Sequence, residues 1–281
     1  MSLKSQCYMF SSSTENGALN KSPKNDKFSV AFTNPLFLPE NAKNARIELI
    51  GSQIWNNSPN ITSANNRFTI KDPNGTHTIF IEEGLYDYTS LFTQIALQMD
   101  NKLTQPILYW RFEDMFSFSG NYSTQKLSIT YLYLNNAGLN QVEIVWNDST
   151  ISTLLGFTSL SPTRPATLST PSVNYSITSS DYAKFNTYNS YLIKTDLVSQ
   201  GISVNNNYAN IIGIVPIEAD SIGTLMNYKS TNPNIFSTCM NLVGIQNARY
   251  SCRFTISNEN NEDVIMPDDW FITLMVSWFE E

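Results

Sequence analysis

The chain has little charge for its size, one histidine, three cysteines and no long apolar run. Each shortage excludes something. With His77 as the sole histidine, any Ser-His-Asp or Cys-His catalytic pair must use it, and it sits inside a strand pattern beside a turn, where a surface or edge-strand histidine is the simpler reading. Cys7, Cys239 and Cys252 are far apart and form no CxxC pair, so zinc ribbons and dithiol redox sites are excluded; reduced thiols are expected, with Cys239 and Cys252 buried. HExxH, P-loop glycines and GxGxxG are missing as well, which leaves no metal, nucleotide or dinucleotide cofactor implied. No stretch has the length and apolarity of a signal peptide or membrane span, so synthesis in a reducing compartment is expected. On that expectation the N-x-S/T triplets are products of an Asn- and Ser-rich composition.

What is present is a 281-residue chain with 41% hydrophobic, 12% aromatic and 15% charged residues. That is enough for one large β-unit or two smaller ones, with a surface made polar mainly by Asn, Ser, Thr and Gln. The net charge of -7 opposes binding to phosphate backbones, so no specific nucleic-acid partner is expected. Residues 1–27 show no periodicity and carry four lysines against two acids, a local +2, while the remainder carries -9. They are expected to form a flexible N-terminal arm.

Strand patterns begin at Phe28, where Phe28, Val30 and Phe32 alternate with smaller residues. In the next strand the apolar positions Ile47 and Leu49 give way to Ser52 and Ile54 around Gly51, a phase slip that predicts a bulge. A third strand over 67–71 ends at Asp72-Pro73-Asn74-Gly75, a turn signal. The middle of the chain differs. Asp87 or Thr89 can cap a helix carrying Leu91, Phe92, Ile95 and Met99, strands follow over 127–134 and 142–146, and Gly156 terminates a short helical turn from Ser149. After a polar stretch over 159–180, strands return over 191–198, 208–215, 235–245, 248–256 and 270–279. Counted with the first three they make eight. The fold expected is therefore all-β, a single eight-stranded jelly-roll sandwich with a mixed β/α insertion domain: arm 1–27, jelly roll 28–72 plus 189–281, insertion 73–188.

Catalytic residues are not evident. The acidic doublets Glu82-Glu83, Glu113-Asp114, Asp268-Asp269 and Glu280-Glu281 place neighbours on opposite faces of a strand and do not aim two carboxylates at one substrate. The turn over 258–263 offers oxygen ligands for a cation but lacks EF-hand spacing, and solvated turn charges are the simpler reading. Aromatics say more. Trp110, Phe112, Phe116 and Phe118 alternate within the insertion, and such a stripe either lines a recognition surface or packs the insertion's own small core, the commoner outcome.

Four stretches in order complete the pattern: Ile81-Glu82-Glu83-Gly84-Leu85-Tyr86-Asp87-Tyr88 before the helix, Leu154-Leu155-Gly156-Phe157, Ser190-Tyr191-Leu192-Ile193 at a strand start, and the strand pair joined through Ser257 to Asp263. Their order and spacing resemble those of penton (minor capsid) proteins of Sputnik-type virophages and Polinton-like elements. The resemblance covers most of the chain after about residue 28. It implies an upright jelly roll, five copies closing each icosahedral vertex as a homopentamer beside major capsid protein hexons, and an insertion projecting outward toward a host glycan or giant-virus surface. Localisation in the virion, with synthesis in host cytoplasm or a viral factory, comes with it. It brings no catalytic residue, and an enzyme is not expected. The alternative is a free carbohydrate- or receptor-binding β-sandwich.

Overall fold

The computed structural model describes residues 2–72, 75–102, 115–121, 123–132, 143–163, 174–186, 188–198, 202–204, 207–208, 210–217, 222–230, 238–239 and 248–280. Four strands come first: β1 (Ser2–Ser11), β2 (Ala18–Leu19), β3 (Lys27–Leu36) and β4 (Ala42–Trp55). The middle of the chain holds β5 (Arg67–Asp72), β6 (Gly75–Phe80), helix α1 (Tyr88–Lys102), β7 (Phe116–Asn121), β8 (Lys126–Tyr131), β9 (Glu143–Ile144), the short helix α2 (Ser152–Leu155) and β10 (Tyr175–Thr178). Last come β11 (Ser190–Thr195), β12 (Ser203–Val204), β13 (Asn207–Tyr208), β14 (Ile211–Pro216), β15 (Leu225–Lys229), β16 (Thr238–Cys239), β17 (Arg249–Asn258) and β18 (Phe271–Glu280). The chain divides into two compact units, Met1–Ser58 with Tyr188–Glu281, and Pro59–Thr187.

The first unit is two antiparallel sheets over one core. One sheet runs β1-β18-β4-β15, with β16 also on β4, and the other runs β14-β11-β17-β3-β2. Leaving aside the two-residue strands, eight remain in chain order among the described residues, and they pair first with last (β1–β18), second with seventh (β3–β17), third with sixth (β4–β15) and fourth with fifth (β11–β14). That nesting is a long antiparallel hairpin rolled onto itself, which is the jelly roll. Between the sheets lie Phe28, Ile47, Ile54, Tyr191, Phe254, Ile272 and Trp270, each almost fully withdrawn from water. Every such large side chain contributes on the order of 1.5–3 kcal/mol relative to exposure.

β4 carries the predicted bulge. Thr273 pairs with Gly51 and Leu274 with Leu49, so Ile50 is the extra residue, and the core-facing set passes from Ile47 and Leu49 to Ser52 and Ile54. The expected arm is not an arm. Ser2–Ser11 is a ten-residue strand in unbroken register with β18, and the residues after it are pinned. Trp270 donates its indole N–H to Asn25 O at 2.8 Å, Ser12 and Trp270 exchange bonds at 3.0 Å, and the Lys24 carbonyl accepts from Met266 N at 2.8 Å. The signal was weak for a physical reason: as an edge strand β1 buries only its last residues, so most of its sequence is free of the apolar alternation that marks a half-buried strand.

The eight roll strands also differ in membership from those expected. The strand at Arg67–Asp72 belongs to the second unit, because its partners are β6 and β9 and its Phe68 and Ile70 enter the second core. Of the strand expected over 235–245, only Thr238–Cys239 lies among the described residues. That pair lies on β4 of the roll, and β1 and β15 are further roll strands that were not expected. The insertion accordingly spans 59–187 rather than 73–188.

The second unit has its own core. α1 lays Leu91, Ile95, Ala96 and Met99 into it, beside Phe116, Ile129 and Tyr131 from the sheet β10-β8-β7 and Ile70, Ile79 and Ile144 from the sheet β6-β5-β9. Asp87 caps α1 reciprocally with Ser90: Ser90 N donates to Asp87 Oδ1 at 2.7 Å, and Asp87 N to Ser90 Oγ at 3.1 Å. α2 ends at Gly156, whose φ of 78° is left-handed and whose Cα lies so close to Asp181 that a Cβ there would sit 2.4 Å from the Asp181 carbonyl oxygen.

Each unit fastens the chain where it passes to the other. In the first, the buried hydroxyls of Ser58 and Tyr191 meet at 2.9 Å, and burial pushes the Tyr191 phenol up to about 12. In the second, Asn60 Nδ2 donates to Tyr86 O at 2.7 Å and Phe185 O at 2.9 Å while its Oδ1 accepts from Tyr86 N.

Gly213 tests the packing between the sheets of the roll. A Cβ there would lie 2.3 Å from Leu49 Cδ2 and 3.0 Å from Leu49 Cβ. Gly213→Ala is expected to lower stability by about 1–3 kcal/mol in urea denaturation, and a Leu49→Ala change in the same chain to cost less than it does alone. Additive losses would mean that the two positions do not meet.

Candidate functional site

The aromatic stripe divides on inspection. Trp110 and Phe112 lie outside the described residues. Phe116 is fully buried and meets the Tyr131 ring edge-on at 4.9 Å, so it packs the second core and presents no surface, which corrects its place in a recognition stripe. Phe118 is half-buried against Phe92 of α1, with ring centroids 4.7 Å apart. The register explains this: Phe116 opposes Tyr131 and Phe118 opposes Ile129, and both rows face α1. The opposite face of the same sheet carries two rows of hydroxyls, with Asn121 and Lys126 at one end. Ser117, Thr130 and Ser176 form one row and Ser119, Ser128 and Thr178 the next, with cross-strand bonds of 2.6 Å (Thr130–Ser176) and 2.8 Å (Ser128–Thr178). That face is legible as the complement of the alternation Leu127, Ile129, Tyr131.

The turn after β17 places its oxygens against cations and amides of the chain itself. Lys27 Nζ donates to Asp263 Oδ1 at 2.8 Å, the Lys194 ammonium touches the Asn261 side-chain oxygen, and Asn258 Oδ1 accepts from Glu262 N at 2.8 Å and Asn260 N at 3.0 Å. Asn189 donates to Glu259 from both its backbone and side-chain nitrogens. Ligands that could have faced a cation are thus spent on a structural knot that joins β3, β11 and the turn. The Lys27 hydrogen bond holds the Asp263 carboxyl below its usual range, and the same bond raises Lys27. Burial lowers Lys194.

The doublet Asp268-Asp269 does similar work. Asp269 Oδ1 accepts from Lys21 Nζ at 2.5 Å and Ser12 Oγ at 3.1 Å, and Asp268 Oδ2 accepts from Asn57 Nδ2 at 2.5 Å. Burial opposes ionisation of Asp269, yet the bonds from Lys21, Ser12 and Ser13 prevail and keep its carboxyl below the usual range. Glu83 accepts the backbone N–H of Ser63 at 3.0 Å, Glu280 accepts the Trp278 indole at 3.1 Å, and Glu113-Asp114 and Glu281 lie outside the described residues. Among the described residues no three His, Cys, Asp or Glu side chains gather as a metal site. His77 stands on β6, the edge strand of its sheet. Cys252 is buried with its thiol pushed up by desolvation, Cys7 is exposed on β1, and the side chain of Cys239 is outside the described set. No helix among the described residues is long and apolar enough to cross a membrane.

Exposed apolar side chains of the first unit were not singled out from the sequence. Leu3 (64% exposed) and Met9 (73%) stand on β1, and Trp55 (37%) and Leu225 (37%) stand directly opposite each other on β4 and β15. All four lie on the outer face of their sheet, since Phe10, Ile54, Met226 and Ile272 take the core face.

Three carboxylates, Asp87 (through Ser90), Asp263 and Asp269, are held below their ordinary range. In the unfolded chain they bind protons near pH 3.9, so their contribution is whole above that value and is lost as pH falls through the lowered folded values. Thermal midpoints are therefore expected to be level between about pH 6 and 5 and to fall below about pH 4. A midpoint that rose on acidification would show that these bonds do not form. Asp87→Ala, measured at pH 7, is expected to cost about 0.5–2 kcal/mol through the lost cap of α1.

No family model matches the chain, and no curated protein matches its sequence. Among solved structures it is similar to the mavirus penton protein, at 11% identity over 99% of this chain and 100% of that one, with a TM-score of 0.49. It is also similar to a chain of the Sputnik virophage structure, at 12% identity over 98% of each chain, with a TM-score of 0.44. With scores below one half at such identities, the strand order of the first unit is the firmer ground for assigning a function.

Proposed function

We propose that the chain is a structural subunit of a viral capsid, its jelly roll forming the wall and five copies closing the vertex of an icosahedral particle beside major capsid protein hexons. The observation that carries this is the nested pairing of eight strands around an interior filled by Phe28, Tyr191, Phe254 and Trp270. A roll filled in this way acts through its outside. A jelly roll that binds a metal or small molecule within needs polar ligands inside, and the only histidine of the chain lies in the second unit. The ordered segments that resemble penton proteins support the vertex role: Ser190 opens β11, Leu154-Leu155-Gly156-Phe157 contains the end of α2, and Ser257 to Asp263 is the lysine-bound turn.

The proposal assigns no reaction to the chain. Its net charge of -7 keeps the free subunit from nucleic acid while neighbours cover its flanks. Host recognition falls to the second unit, which has its own core and fastens its own ends, and so can vary without disturbing the wall. A second reading, a free glycan-binding module, is favoured by the hydroxyl rows on the outer face of β10, β8 and β7, which suit sugar hydroxyls.

Light scattering of the purified chain, with negative-stain imaging of the main peak, tests the proposal. Five-fold rings are expected. A monomer at every concentration that binds glycans through its second unit would favour the free module.

A further inference from the structure

β1 is an edge strand with few of the devices that usually blunt an edge. It runs ten residues in register with β18 with no bulge, contains no proline, carries Lys4 as its sole charge and exposes Leu3 and Met9. About half of the backbone N–H and C=O groups of such a strand point away from its one partner. Among the described residues, no backbone group of Ser2–Phe10 bonds to anything but β18. The other sheet treats its edge differently: at Ser29 and Val30 the outer side of β3 is covered by β2. At the far edge of the sheet that contains β1 stands β15, which among the described residues pairs with β4 alone.

Two further features say what covers β1. The sheet β1-β18-β4-β15 is antiparallel throughout, so its first and fourth strands run in opposite directions. A copy added head to tail therefore brings its β1 antiparallel to β15, and the alternation continues from one subunit to the next. The exposed apolar residues at the two edges, Leu3 and Met9 on one and Trp55 and Leu225 on the other, lie on the same outer face. Joined edge to edge, Leu225 of one copy comes beside Met9 of the next, with Trp55 behind it on β4.

We propose that β1 of each subunit pairs with β15 of a second copy, continuing the sheet across the subunit boundary. The contact is heterologous, one edge meeting a different edge, which is the kind that generates rings. The inference rests on the reading of the chain as a ring-forming subunit and names the strands that make the ring.

Cys7 provides the reporter, since it is exposed on the outer face of β1. In a Cys239→Ser background, Leu225→Cys and Asn227→Cys place a second thiol at two successive outer-face positions of β15, and strand neighbours come within disulfide reach. Mild oxidation is expected to give a ladder of linked chains with one of the two variants. The ladder should vanish with Cys7→Ser and be missing with Met226→Cys, whose side chain faces the core. Met9→Lys should suppress it and shift the mass toward monomer without shifting the thermal midpoint. Linked dimers through Cys7 in the Cys239→Ser chain alone would show β1 pairing with β1 and overturn the proposal. Oligomers that give no ladder and ignore Met9→Lys would overturn it and leave the ring reading standing. A monomer at every concentration, with no ladder, would remove both.

Discussion

The pairing of β1 with β18 closes the roll, and the other contacts of the first unit are nested inside it. Once the first and last strands lie side by side, the second must meet the seventh and the third the sixth, because the chain between them is one folded hairpin. Trp270 secures this closure. It stands just before β18, exchanges bonds with Ser12 at the end of β1, gives its indole proton to Asn25 and sets its ring against Phe28 at 5.0 Å. The stretch between β1 and β3 is therefore tied by buried bonds and by the ion pair Lys21–Asp269, and the excess of lysine there is structural.

Closing the roll also decides where function can reside. Two sheets interdigitate so closely that Gly213 and Leu49 leave no room for one more carbon. Among the described residues the interior is filled mainly by apolar side chains, which turns attention to the outer face, the edges and the second unit. The insertion sits between the third and fourth strands of the roll, where Ser58 and Tyr191 hold the outgoing and returning chain together. A domain inserted at a clasped pair of ends adds little loop-closure cost to its host. This is why one chain can hold a jelly roll and a second unit with a core of its own.

Much of this was legible in the sequence, and the parts that were not share a cause. The bulge at Ile50, the cap at Asp87 and the stop at Gly156 were visible because each needs a particular residue type or a break in periodicity. β1 was not, since an edge strand buries few side chains and leaves little alternation to detect. β1 and β15 were not among the eight strands expected, and the strand expected at 67–71 belongs to the second unit. The pattern at 67–71 is a true strand, but alternation gives no indication of which core a strand joins, and Phe68 and Ile70 chose the second. Phe116 shows the same limit from the other side: its alternation marked a two-faced strand, and burial went to the aromatic face while hydroxyls took the surface.

Hydrogen exchange across β1 tests the closure most directly. If Ser2–Ser11 is the first strand of the roll, the amides of β1 that face β18 exchange as slowly as those of β18 itself, and they lose protection only with global unfolding. Exchange of the whole segment at the rate of an unfolded peptide, beside a protected β18, would contradict the nested roll and with it the edge on which the proposed subunit pairing depends.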